Sequence, residues 1–216
     1  MNEISQIVFL TLKICAFSTF ISTFISIGLA FLLGLRHNRL INIIKMLINA
    51  LTSLPPVIAG VIVYLLFSRN GIFGKLSWIY TPKVIIIAQV IIVIPIICAN
   101  IYPAVESISK SFLLTSRALG LRGFKFLIQL IKEVEYSVIS AIISGFGRSI
   151  SEVGAVMIVG GNVRFKTRVL TSAIVLENNK GNYEMSLKLG LILMIISLIV
   201  SFTAMFFRES ANAKNQ

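Results

Sequence analysis

The chain has 216 residues, 56% of them hydrophobic and 13% charged, with a mean hydropathy of +0.93. A soluble globular domain spends about a quarter of its residues on charge, so this composition excludes that class and points to an integral membrane protein. The net charge of +12 sits in short stretches between apolar segments, where anionic lipid headgroups and the positive-inside bias account for it and nucleic acid is not needed as a partner.

The first residues, MNEISQ, lack the basic stretch and small-residue cleavage site of a signal peptide, so the first apolar segment is expected to be retained. Five segments are long enough to cross about 30 Å of hydrocarbon, near residues 10–35, 41–67, 84–103, 136–160 and 185–207. The expected fold is therefore all-α and polytopic, one transmembrane domain over residues 1–216. Cys15 and Cys98 both fall inside these segments and read as buried thiols acting as small hydrophobes. The second segment contains LPPVIAG. Its Pro55 and Pro56 remove backbone donors within the membrane and predict a kink or break that neighbours must satisfy.

Between the third and fourth segments lies the longest polar stretch, residues 104–135. It has helical periodicity without a run long enough to cross, so it is expected to lie at the membrane surface as short amphipathic helices. In the fourth segment, Ser140, Ser144, Gly147, Ser151 and Gly154 alternate at spacings of four and three, forming one narrow stripe of small residues. Such a stripe lets another backbone approach closely, either within one subunit or at a dimer or pore face. Arg148 and Glu152 lie four residues apart beside it, able to pair. Either charge alone costs about 2.5–3.5 kcal/mol at a helix centre, so such residues face protein or a water-filled cavity. They are read either as a structural ion pair or, with Gly154, Pro55 and Pro56, as the gate of a polar pathway. After the fourth segment, GGNVRFKTRVLT (160–171) carries Arg164, Lys166 and Arg168 on an expected extended loop. They read as a solvated set, as a docking surface, or as a funnel that concentrates anions.

With residues 104–135 inside, the inner loops carry ten Lys and Arg, Lys45 among them, and the outer loops seven. This bias places the N-terminus outside and the C-terminus inside. Chemical motifs are mostly lacking. His37 stands beside Arg36 in a basic loop and reads as solvated or lipid-facing; without aspartate or a second histidine, neither a hydrolase triad nor a paired-histidine metal site can be assembled. GIFGKL (71–76) lacks the first glycine and the hydroxyl of a phosphate loop. No cofactor is expected, and uphill transport would draw its energy from a partner or an ion gradient.

The segment SRALGLRGFKFLIQLIKEVEY (116–136) resembles the cytoplasmic coupling region of ABC-importer permeases, and Gly120 matches its fixed glycine. The family's Glu-Ala-Ala falls here on Leu114, Thr115 and Ser116, and its Leu-Pro on Lys132 and Glu133. SLPPVIAG, SRNGIFG and GRSISEVGA resemble, in order and spacing, the oxyanion-importer permeases for molybdate and tungstate. SEVGAVMIVGGNVRFKTRVLTSAIVLENNKGNYE is most similar to the tungstate group. This resemblance implies a type I permease in a prokaryotic inner membrane, a homodimer of five-span subunits among membrane lipid. It also implies a separate ABC ATPase that hydrolyses the ATP and an extracytoplasmic oxyanion-binding protein. Arg117, Ala118, Leu119, Gly120 and Arg122 would then meet the ATPase, and the chain would be a transport subunit rather than an enzyme. Tungstate is the expected cargo, with molybdate or sulfate as alternatives. A secondary anion transporter or channel is the rival class, but it has no use for a glycine-jointed surface segment of 32 residues.

Overall fold

The computed structural model describes residues 3–108 and 110–214. Among them run ten α-helices with no strand: α1 (Glu3–Leu35), α2 (Arg39–Thr52), α3 (Pro56–Phe67), α4 (Pro82–Glu106), α5 (Lys110–Ala118), α6 (Gly123–Glu133), α7 (Glu135–Ile150), α8 (Gly154–Gly160), α9 (Leu170–Asn179) and α10 (Tyr183–Lys214). The all-α polytopic class expected from the sequence is the one observed.

Three helices are individually long and apolar enough to cross a membrane: α1, α4 and the Tyr183–Phe207 part of α10. The second and fourth predicted spans are broken. α2 and α3 meet at 100°, and α7 and α8 at 59°; with each bent pair counted as one crossing the total is five. The first break follows from chemistry: Pro55 caps α3 and Pro56 occupies its first turn, where a missing N–H costs nothing. The second break contains no proline and depends on partners from elsewhere in the fold.

α4 is the centre of the subunit. Over its most apolar stretch 56% of residues are buried, against 6% for α10, so α10 turns its apolar surface outward. α1 packs along α4 through Ser18, Ser22, Ser26, Ala30 and Gly34, a buried ladder at a constant spacing of four. A Cβ added at Gly34 would lie 2.6 Å from Val105 Cβ, which shows how closely the two helices run. Small residues substitute here for the hydrophobic effect, which is absent between helices in lipid.

The two ends of the bundle are distinct. At one end Leu33, Ile41, Val105, Leu130 and Val134 form a buried cluster beneath α6. Lys45, counted from sequence as an inner-loop cation, lies instead within α2; its side chain is 10% exposed and its Nζ is 2.9 Å from Glu106. His37 is exposed, but its Nε2 stands 3.1 Å from that same carboxylate. At the other end Ile7, Leu170, Ala173 and Leu189 form a separate cluster, and Trp78 stacks on Phe67 beneath the Nζ of Lys83. The segment 160–171 differs most from expectation. It turns back into the protein, with Thr167 and residues 169–172 buried, and α9 begins within it. The N–H of Leu170 donates to Thr11 Oγ1 at 2.9 Å, and the Ser172 hydroxyl accepts from the N–H of Val169.

Candidate functional site

The two helix breaks lie side by side because α3 packs on α8. A Cβ at Gly60 would fall 2.7 Å from the Ala155 Cα, and one at Gly154 2.6 Å from Val57 Cγ2, so glycine on each side permits the contact. Pro55 and Pro56 therefore start one wall of this junction and Gly154 starts the other.

Between α7 and α8 the backbone leaves the helix over residues 151–153, freeing N–H and C=O groups that lipid cannot satisfy. Several side chains take them up. Glu152 is 3% exposed, and its Oε1 accepts from the N–H of Ala155 at 3.1 Å in the first turn of α8. Thr171 Oγ1, from the start of α9, donates to the carbonyl of Glu152 at 2.9 Å. Gln89 Nε2, from α4, donates to the carbonyl of Ser149 at 3.1 Å. Ser151 Oγ turns back to the carbonyl of Gly147 at 3.0 Å.

Arg148 Nη2 stands 3.6 Å from Glu152 Oε2, an ion pair too long for a hydrogen bond. Its two ends differ in setting: the arginine side chain is 35% exposed and the glutamate 3%. Near the two breaks Ser151 and the apolar side chains of Val57, Ile58 and Val153 are exposed as well.

The small-residue stripe divides among neighbours. Ser140 Oγ donates to the carbonyl of Ala204, and a Cβ at Gly147 would lie 3.2 Å from Val200, so this part meets α10 of the same chain. Ser144 bonds within its own helix, Ser151 is exposed, and Gly154 meets α3. At the opposite end, Ala118 closes α5, Leu119 is exposed, and Gly120 takes a left-handed φ of 68°. Gly123 is left-handed as well, at 54°, and Arg122 between them caps α6. The side chain of Arg117 lies outside the described residues. α6 is held to the bundle by the buried Leu130, while Leu119, Leu127 and Ile128 remain exposed.

Of the three basic residues after α8, Arg164 and Arg168 meet a carboxylate, and Lys166 meets none among the described residues. Arg164 grips Glu3 with two hydrogen bonds, Nε to Oε1 at 3.0 Å and Nη2 to Oε2 at 2.7 Å, and Arg168 Nη1 adds a third at 3.1 Å. A cleft of about 350 Å³ adjoins them, with Glu177 and Lys180 on its rim. Hydrogen bonds from Lys180 and Asn182 hold the Glu177 carboxyl below its usual range. Glu3, Gln89, Thr171, Gly60 and Gly123 were not singled out by sequence reasoning. The lone amide in VIIIAQVIIVIPII was the available signal for Gln89.

Comparison with known proteins gives the arrangement its context. The model of the family described as binding-protein-dependent transport system inner membrane component matches residues 26–212. The chain is 34% identical over 199 residues to the tungstate uptake system permease protein TupB of Peptoclostridium acidaminophilum, covering 92% of this chain and 87% of that protein. It is 34% identical over 164 residues to the protein of the same name in Campylobacter jejuni, covering 76% and 69%. It is 32% identical over 179 residues to a probable anion ABC transporter permease protein of Haloferax volcanii, covering 81% and 77%. The chain belongs to this family of inner-membrane ABC-type permeases and is a multi-pass transport subunit.

Proposed function

We propose that the chain is one half of a homodimeric permease that imports a tetrahedral oxyanion, tungstate first among the candidates, at the expense of ATP hydrolysed by a separate ATPase. Support for tungstate comes from the relatives named for its uptake and from the stretch beginning SEVGAVMIVGG. The observation that carries the mechanism is the paired helix break, with Arg148 a third exposed at one junction and an exposed apolar face, Val57 and Ile58 of α3, at the other. In this reading a second copy covers that face, and the two junctions together border the pathway. The five apolar segments cross as one domain with the N-terminus outside, so that the Glu3 end faces an extracytoplasmic binding protein and α5 and α6 face the ATPase. Lipid covers the outward surfaces of α1 and α10. Closure of the ATPase dimer would shift α5 and α6 and flip the junction between two accessibilities.

Arg164, Lys166 and Arg168 serve at the entrance, as a docking surface for the binding protein or as a concentrator of dianions. Reconstitution of the chain with its ATPase and binding protein in proteoliposomes tests the whole reading. Uptake of tungstate should require ATP and all three components, with molybdate and sulfate competing more weakly. Gradient-driven uptake by the chain alone would move it to the secondary transporters, and preferred uptake of sulfate would overturn the cargo.

A further inference from the structure

The break after α7 ends on a buried polar joint that its own helix does not supply. Gln89 sits about two turns into α4, 3% exposed, and its Oε1 accepts from Ser18 Oγ of α1 at 2.8 Å. Its Nε2 donates to the carbonyl of Ser149, while the hydroxyls of Ser18 and Ser149 stand 2.9 Å apart. All three side chains are buried. In a continuous helix the Ser149 carbonyl would accept the N–H four residues on. Here α7 has ended at Ile150, and the amide of Gln89 takes up that carbonyl beside the N–H of Glu152. The α7 side of the break adjoining Arg148 and Glu152 is thus tied to α4 through Gln89, while Thr171 of α9 holds the carbonyl of Glu152.

α4 also runs to Glu106, and the chain enters α5 at Lys110. Seventeen residues separate Gln89 from Glu106, about 25 Å of helix at 1.5 Å per residue. One helix, with Pro95 and Pro103 inside it, therefore joins the coupling region to the break. Most of the remaining contact between α4 and α7 is apolar, through Val93 and Ile97 against Gly145, and apolar faces can slide with little penalty. A pair of directed hydrogen bonds cannot slide without breaking.

We propose that Gln89 is a positioning residue for transport: its bonds to Ser149 and Ser18 make the end of α7 follow α4, so that movement of the coupling region reaches the Arg148–Glu152 break. This rests on the importer reading above. A purely structural role would instead make the two bonds an adhesive whose loss lowers stability and every activity alike.

The complete complex in proteoliposomes separates the two, with ATP hydrolysed per anion imported as the readout. Gln89→Met keeps the length and removes both bonds; that ratio should rise about tenfold, the equivalent of one buried hydrogen bond left unmade, while the purified complex still contains all its subunits. Gln89→Glu should keep the wild-type ratio, because a carboxyl buried away from water with no cation beside it among the described contacts stays protonated and so offers one donor and one acceptor in the same places. Should Gln89→Met fail to assemble, Gln89→Asn serves: it keeps the amide but withdraws it by one methylene from Ser149, and the same rise is expected. An unchanged ratio in an assembled Met or Asn variant, or hydrolysis and uptake falling together, overturns the proposal. Failure of the wild-type complex to import at all would instead count against the importer reading.

Discussion

Replacing Glu152 with glutamine keeps an oxygen for the Ala155 N–H, now 3.1 Å from Oε1, and removes the charge that stands 3.6 Å from Arg148. Replacing it with leucine removes both. The lost hydrogen bond at the start of a helix is worth about 1 kcal/mol. The ion pair lies between two regimes. Exposed pairs contribute about 0.2–1 kcal/mol, whereas removing one partner of a fully buried pair costs about 3–5 kcal/mol. Here one partner is buried, the other is a third exposed, and the separation is long, so a coupling of about 1–2 kcal/mol is expected. Glu152→Gln should then destabilise by about 1–2 kcal/mol and Glu152→Leu by about 2–3 kcal/mol. Arg148→Ala strands a buried carboxylate and should cost at least as much as Glu152→Gln. The double variant Arg148→Ala/Glu152→Gln should recover about 1–2 kcal/mol relative to the sum of the single changes. Unfolding of the solubilised complex measures these differences, and uptake is followed in parallel. Additivity within about 0.3 kcal/mol would show that the pair does not interact. Recovery of stability without uptake would assign the pair to the gate, and recovery of both would leave it only a bracing role.

Three further outcomes are expected. Gly120→Val and Gly123→Val each force a β-branched residue into a left-handed φ at a cost of about 1–2 kcal/mol; a Cβ meets no neighbour at either position, so membrane insertion should persist while co-purification of the ATPase falls, and full transport would refute the coupling assignment. Gly60→Val drives a side chain into the backbone of Ala155 and should destabilise the subunit by about 1–3 kcal/mol; an unchanged unfolding midpoint would mean that α3 and α8 are not in contact. Neutralising Arg164, Lys166 and Arg168 together should weaken association of the binding protein, increasingly as salt falls, whereas Glu3→Gln, which frees Arg164 and Arg168, should strengthen it; association independent of all four substitutions at every salt concentration removes docking as their role.

The apolar segments, the proline-marked break and the short helices of residues 104–135 were legible because each depends on local chemistry, namely run length, a missing donor and helical periodicity, whereas the glycine joint at Gly120 came from the family resemblance. The break over residues 151–153 was not, since SISEVGA contains no helix-breaking proline and its geometry is maintained by Gln89 and Thr171 from distant segments. The first two residues of α9, Leu170 and Thr171, fall at the end of the expected loop 160–171, and the helix is too short to cross a membrane. Their burial depends on Thr11 of α1, far away in sequence. The grip of Arg164 and Arg168 on Glu3 spans more than 160 residues and leaves no trace in charge spacing. The ladder from Ser18 to Gly34, which marks the buried face of α1, was also missed, although its constant spacing of four is a local signal.

A transporter needs two arrangements of similar free energy, and shifting a population from 1:99 to 99:1 takes about 5.5 kcal/mol of differential interaction. An unbroken helix satisfies its backbone within itself and offers no second arrangement at that scale. The α7–α8 junction is different. Its freed groups are satisfied by Gln89, Glu152 and Thr171, each contributing about 0.6–1 kcal/mol when such bonds form within a membrane protein. Three bonds of that size hold one geometry firmly enough to be populated and weakly enough for an ATP-driven partner to exchange it. On the proposed import reading the charges sit at the break because accessibility would change there: Glu152 holds the first turn of α8, and Arg148, already a third exposed, would turn toward water or toward Glu152 according to the arrangement of the junction.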